Sequence, residues 1–156
     1  MKSDLPIIPD ARGLRVGLVT SRYHADVTGA LEDGARAAFL AAGGRPEDLL
    51  VAAAPGAFEL PVIAAAFARR ADVTAVVVLG CIVEGETRHD RVLGDAIAAA
   101  CAQLSVQSCK PVGFGVLTVR NAKQARSRAG GKHGNKGQEA MDAALLAARA
   151  VEGAKS

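Results

Sequence analysis

Four short apolar runs punctuate the chain: LRVGLVT (14–20), LLVAAA (49–54), AVVVLG (75–80) and VGFGVLTV (112–119). Each has the length of a strand and is rich in Val or bounded by Gly or Pro. Their apolar positions are near-continuous instead of alternating with polar ones, which is the pattern of parallel strands covered on both faces. Between them lie helical patterns, predicting helices over Ala25–Ala42, Phe58–Arg70, His89–Ser108 and Ala122–Ala129, and a closing helix from Gln138 to Val151. Strand–helix–strand alternation is the signature of right-handed βαβ units, so the expected fold class is α/β with a four-stranded parallel sheet. Residues 13–156 are expected to form one domain. Residues 1–12 have no clear place in that sheet and are expected to reach onto a neighbouring subunit.

Composition narrows the function classes. At 156 residues the chain can bury one real core. Half its residues are hydrophobic, but no apolar run reaches the roughly eighteen that would span a bilayer, so no membrane partner is expected. Met1 to Asp10 carries one Lys and two Pro but no apolar core with a small-residue cleavage site, so a cytoplasmic location is expected. Cys81, Cys101 and Cys109 are odd in number and form no C-x-x-C pair, which argues against a disulfide framework or a zinc site. Each reads as a small buried hydrophobe. A net charge of +3, with basic residues nowhere interleaved with aromatics, gives nucleic-acid binding no support and leaves small anionic ligands open.

In open α/β sheets ligands sit beyond the carboxyl ends of the strands. Three segments emerge there: SRYHAD after the first strand, PGAFE after the second and LGCIVEGETRHD at the third. Tyr23 and Phe58 fall just past strand ends, where a flat heterocycle could be stacked, although core packing would also suit them. Pro55 and Gly56 stop a strand and leave Ala57, Phe58 and Glu59 near a helix N-terminus; Glu59 there also simply favours the helix dipole. Thr87 and Asp90, three apart, can form a capping box. Helix N-termini also bind anions, and Gly85 permits close backbone approach, so a phosphate would fit. His89, in the first turn of that helix, is the candidate base, since the positive end of the dipole favours a neutral imidazole.

PGAFELP (55–61), LGCIVEGETRHD (79–90), FGVLT (114–118) and RAGGKHGNKGQEA (128–140), in order and at the expected spacing, together resemble the 6,7-dimethyl-8-ribityllumazine synthase family of riboflavin biosynthesis. The resemblance runs from about Gly13 to Ala150. It implies a flavodoxin-like three-layer α/β/α sandwich. It also implies an enzyme, a transferase that joins 5-amino-6-(D-ribitylamino)uracil to 3,4-dihydroxy-2-butanone 4-phosphate without a cofactor or metal, releasing phosphate and water. By position it implies that Tyr23 stacks on the pyrimidine, that Ala57, Phe58 and Glu59 hold the ring and ribityl chain, and that backbone around Cys81, Ile82 and Val83 reads the uracil edge. Glu86 and Thr87 would then cradle the phosphate, His89 shuttle protons, Phe114 cover the ring and Arg128 pair with the phosphate. The implied assembly is a homo-oligomeric pentamer. The turn AGGKHGNKG resembles members whose twelve pentamers form a sixty-subunit icosahedral shell, with riboflavin synthase as a further partner.

The chain departs from the family pattern where Asp90 and Arg91 follow the His, where Glu84 replaces a common basic residue, where His24 replaces a frequent Asn, and where Tyr23 replaces Phe or Trp. One alternative is therefore a non-catalytic relative that binds flavin or lumazine or forms a shell without turnover. Another is a phosphate-loop protein, but GGKHGNKG follows a helix and lacks the G-x-x-x-x-G-K-[ST] spacing. Chain direction places Phe114, and Arg128 at the end of the next helix, at the amino edge of the sheet. Tyr23, Phe58 and His89 would lie about 17–20 Å away at the carboxyl edge. Two subunits would be needed to join them.

Overall fold

The four apolar runs become Val16–Ser21 (β1), Leu49–Ala54 (β2), Ala75–Val83 (β3) and Val112–Val119 (β4) of one all-parallel sheet, in the order β2-β1-β3-β4. This computed structural model describes residues 7–156. Helices Ala25–Ala41 (α1) and Lys136–Lys155 (α5) bury Leu31, Phe39, Met141 and Leu145 against Leu18, Val77 and Leu79 on one face of the sheet. Helices Leu60–Ala68 (α2) and His89–Ser108 (α3) bury Leu60, Ala64 and Ile97 against Val19, Val76 and Val78 on the other. Strands apolar on both faces thus need helices on both faces, and the α/β/α sandwich follows. No described helix is long and apolar enough to cross a membrane.

Several boundaries differ from expectation, each for a local reason. β3 runs three residues past Gly80, because Cys81, Ile82 and Val83 still pair with Leu117, Thr118 and Val119 of β4. Phe58 lies in a single 3-10 turn, Ala57–Glu59, and α2 proper begins at Leu60. A short helix, Ala122–Ser127 (α4), leads into a two-stranded hairpin of Ala129–Gly131 (β5) and Gly134–Asn135 (β6). α5 starts two residues before Gln138 because Asn135 caps it: its Oδ1 accepts the N–H groups of Gly137 at 2.8 Å and Gln138 at 3.2 Å. Its Nδ2 donates to the Ala30 carbonyl at 3.0 Å, tying the hairpin to α1. Cys81 and Cys101 are buried as expected, but Cys109 is exposed, because it ends α3 in a left-handed turn with φ 52°.

The α1–α5 contact is tight at one point. A side chain at Gly137 would run into the backbone carbonyl of Leu31, which cannot move without shifting α1. Gly137→Ala is expected to destabilise the fold by about 1–3 kcal/mol, the usual cost of overpacking, and to lower the thermal midpoint measured by circular dichroism.

Candidate active site

From β1 the chain crosses to β2 on one side, and β3 lies on the other, so the order reverses at the β1/β3 boundary. Such a switch point opens a crevice at the carboxyl ends of the strands. A cavity of about 910 Å³ lies there, lined by Tyr23 and His24 after β1, Gly56 to Glu59 after β2, and Cys81 to Gly85 at the end of β3. Thr87, His89, Asp90, Val92, Leu93 and Ala96 complete it from α3 and the loop before it. Tyr23 and Phe58 are 67% and 68% exposed, so neither ring serves the core, and both are available to a flat ligand. Ala57 is buried in the same 3-10 turn as Phe58, and Glu59, at the N-cap of α2, makes no side-chain cap hydrogen bond.

The end of β3 presents a backbone edge to this cavity. Its pairing with β1 stops at Thr20–Leu79, whereas its pairing with β4 continues to Val83–Val119. Cys81, Ile82 and Val83 therefore have a strand partner on one side only, leaving peptide groups on the other to read a planar ligand edge. The Cys81 thiol itself is not a nucleophile at neutral pH: burial, reinforced by the charge of Asp26, pushes its pKa up to about 11.

The loop after β3 delivers His89 as the first residue of α3. The capping box expected of Thr87 and Asp90 does not form. Arg88 occupies the N-cap position, which places Thr87 one residue too early and Asp90 one residue too near the start. Thr87 Oγ1 instead accepts the His89 N–H at 3.3 Å, and Asp90 is buried. Sequence reasoning missed the apolar wall of Val92, Leu93 and Ala96. Its signal was available, because 89, 92, 93 and 96 are i, i+3, i+4 and i+7 on one helical face. Among the described residues no cluster of His, Cys, Asp and Glu could hold a metal ion.

The sequence model of 6,7-dimethyl-8-ribityllumazine synthase matches residues 13–152. The chain belongs to the 6,7-dimethyl-8-ribityllumazine synthase family. A 6,7-dimethyl-8-ribityllumazine synthase of Thermus thermophilus is 43% identical over 142 residues, covering 91% of this chain and 90% of the relative. That of Aquifex aeolicus is 40% identical over 135 residues, with 86% and 88% covered, and that of Porphyromonas gingivalis is 38% identical over 142 residues, with 91% and 88% covered. The four-stranded parallel sheet between helical layers is the flavodoxin-like fold expected of a lumazine synthase family member.

Three residues singled out in the sequence as members of a lumazine synthase site stand outside the cavity. Glu86 sits exposed in the loop between Gly85 and Thr87 without lining it. Phe114, 37% exposed on edge strand β4, shares by alternation the face of Val112 and Val116. Arg128 lines a separate cavity of about 310 Å³ with Val116 to Val119, His133, Lys136 and Glu139. Its guanidinium Nη1 donates to the Gln124 carbonyl and to Ser127 Oγ, both at 3.2 Å. The expectation that Arg128 reaches the amino edge of the sheet is therefore wrong. The six residues of α4 span only about 9 Å against about 26 Å for β4, so the chain turns back beside the carboxyl half of the strand. Phe114 does lie towards the amino end, opposite Val78.

Proposed function

We propose that the chain condenses 5-amino-6-(D-ribitylamino)uracil with 3,4-dihydroxy-2-butanone 4-phosphate, giving 6,7-dimethyl-8-ribityllumazine, phosphate and water. The observation that carries this reading is one cavity joining two exposed aromatic rings, an open strand edge and a histidine at a helix N-terminus. The rings of Tyr23 and Phe58 suit a stacked pyrimidine, the Cys81–Val83 backbone its polar edge, and Glu59 the ribityl hydroxyls. The amides opening α3, with Thr87 and the backbone at Glu86, suit the phosphate. The amine attacks the ketone, water leaves to give an imine, phosphate is eliminated to leave an enol that becomes a ketone, and the ribitylamino nitrogen closes the ring on that carbonyl with loss of a second water. Each step moves a proton, and the His89 imidazole can both take and return one.

A neighbouring subunit completes the site in this reading. Phe114, on edge strand β4, which has no further partner among the described residues, and Arg128, at the end of α4, both stand outside the cavity, which supports a role for them in another chain's site. A pentamer, and a sixty-subunit shell built from twelve of them, supplies such an interface; the shell reading rests on the Gly-rich turn now seen as the β5–β6 hairpin. Residues 1–6 lie outside the described residues. Ala11 is buried in this chain's own core and Arg149 donates to the Asp10 and Arg12 carbonyls, so of the first dozen residues only those before Asp10 are left to pack on a neighbour; Ile7 and Ile8, 62% and 77% exposed, fit that narrower expectation. A cytoplasmic location and riboflavin synthase as a partner fit a biosynthetic role.

Mixing the purified protein with both substrates and following lumazine absorbance and fluorescence tests the activity. Formation faster than the spontaneous condensation is expected, whereas binding without turnover would favour a non-catalytic relative. A charge-assisted hydrogen bond is worth about 1.5–3 kcal/mol, so Arg128→Ala is expected to lose roughly ten- to a hundredfold in use of the phosphorylated ketone. Affinity for the pyrimidine should change little; equal weakening of both would count against a phosphate role.

A further inference from the structure

We infer that His24 is a positioning residue for this reaction, holding the ring of Tyr23 in place over the cavity; the inference rests on the reading that Tyr23 stacks on the pyrimidine. His24 occupies the left-handed region, φ 58° and ψ 53°, which side chains of L-residues adopt at a cost and which gathers at functional sites. The backbone is held there firmly. Its carbonyl accepts the N–H groups of Val27 and Thr28, each at 3.0 Å, and the Thr28 hydroxyl at 3.3 Å.

The imidazole is not spent on the helix. His24 is the N-cap of α1 but makes no side-chain cap hydrogen bond. It packs instead edge-to-face on Tyr23, with ring centroids 4.6 Å apart and an interplanar angle of 72°. That is the favourable geometry for an aromatic pair. No other aromatic pair involves Tyr23 among the described residues, and with two thirds of that residue exposed little else limits its ring. An exposed ring that must be ordered on binding loses rotamer freedom; a ring already resting on a fixed neighbour has less to lose. Asn and Asp also tolerate the left-handed turn, so the backbone alone does not call for an imidazole, whereas holding the ring does.

The chain contains one Tyr and no Trp, so its intrinsic fluorescence reports on Tyr23 alone. In a slowly tumbling oligomer its anisotropy measures the freedom of that ring. His24→Asn keeps a residue suited to the turn and removes the aromatic edge; His24→Phe keeps the edge. His24→Asn is expected to lower the anisotropy and raise the KM for the pyrimidine roughly two- to tenfold, the worth of an aromatic pair, with the KM for the phosphorylated ketone unchanged. His24→Phe should restore both values towards wild type. Unchanged anisotropy in His24→Asn, or an equal rise in both KM values, would overturn the inference, and where His24→Phe does not assemble, the Asn variant alone decides. Tyr23→Ala separates the two readings: if it leaves the pyrimidine KM unaltered, the stacking role itself fails. If it raises that KM while His24→Asn behaves as wild type, only the role of His24 fails.

Discussion

Replacing His89 by alanine is expected to slow the single-turnover reaction by about 10²–10⁴-fold, the worth of a positioned acid or base, with activity still measurable above the uncatalysed condensation. Assembly and pyrimidine binding should persist. His89 is exposed at the first position of α3, and its backbone N–H donates to Thr87 Oγ1, a bond that alanine retains. Its removal leaves no void in either core, and alanine is the best helix former. Water can enter the open cavity as a poor substitute proton carrier. Amines and ketones also condense without an enzyme, so loss of the imidazole slows the chemistry instead of abolishing it.

The double replacement Tyr23→Ala with Phe58→Ala is expected to harm turnover at least as much. Holding two reactants in register can supply about 7–11 kcal/mol, against about 3–5.5 kcal/mol from proton transfer. The two rings stand on separate segments, after β1 and after β2, and both are largely exposed, so their loss loosens the ligand without opening the core. Single-turnover rates at saturating substrate and matched oligomeric state give the order of the two effects. Complete loss in the His89 variant beside near-normal rates in the double variant would show that proton transfer, not alignment, carries the reaction.

What the sequence reveals of this fold depends on how much side-chain pattern each segment carries. β1, β2, β4 and the bodies of α1 and α3 are legible because Val, Leu, Ile and Ala recur where burial requires them. β3 is misjudged at its end, since Gly80 looks like a strand stop; in the fold it lets the strand pass close to the Leu60 side chain and continue to Val83. The β5–β6 hairpin carries almost no apolar pattern, and only the Asn135 cap marks where α5 begins. At the site, Tyr23, Phe58 and His89 are found by their places after strand ends. Val92, Leu93 and Ala96 become evident only once His89 is put on the cavity. Arg128 is misplaced because the length of α4 sets its position along β4, and Ala122–Ala129 reads as a longer helix than the one that forms.

We propose one catalytic centre divided between two chains, with His89 from one and Arg128 from its neighbour. Co-expressing His89→Ala and Arg128→Ala chains, each impaired alone, tests it most directly. In randomly mixed rings about a quarter of the head-to-tail interfaces pair an intact His89 with an intact Arg128. Mixed oligomers, verified as mixed by native mass spectrometry, are expected to recover activity well above either parent, approaching that fraction of wild type. Mixed oligomers no more active than the parents would contradict it, because the two residues would then have to act within a single chain.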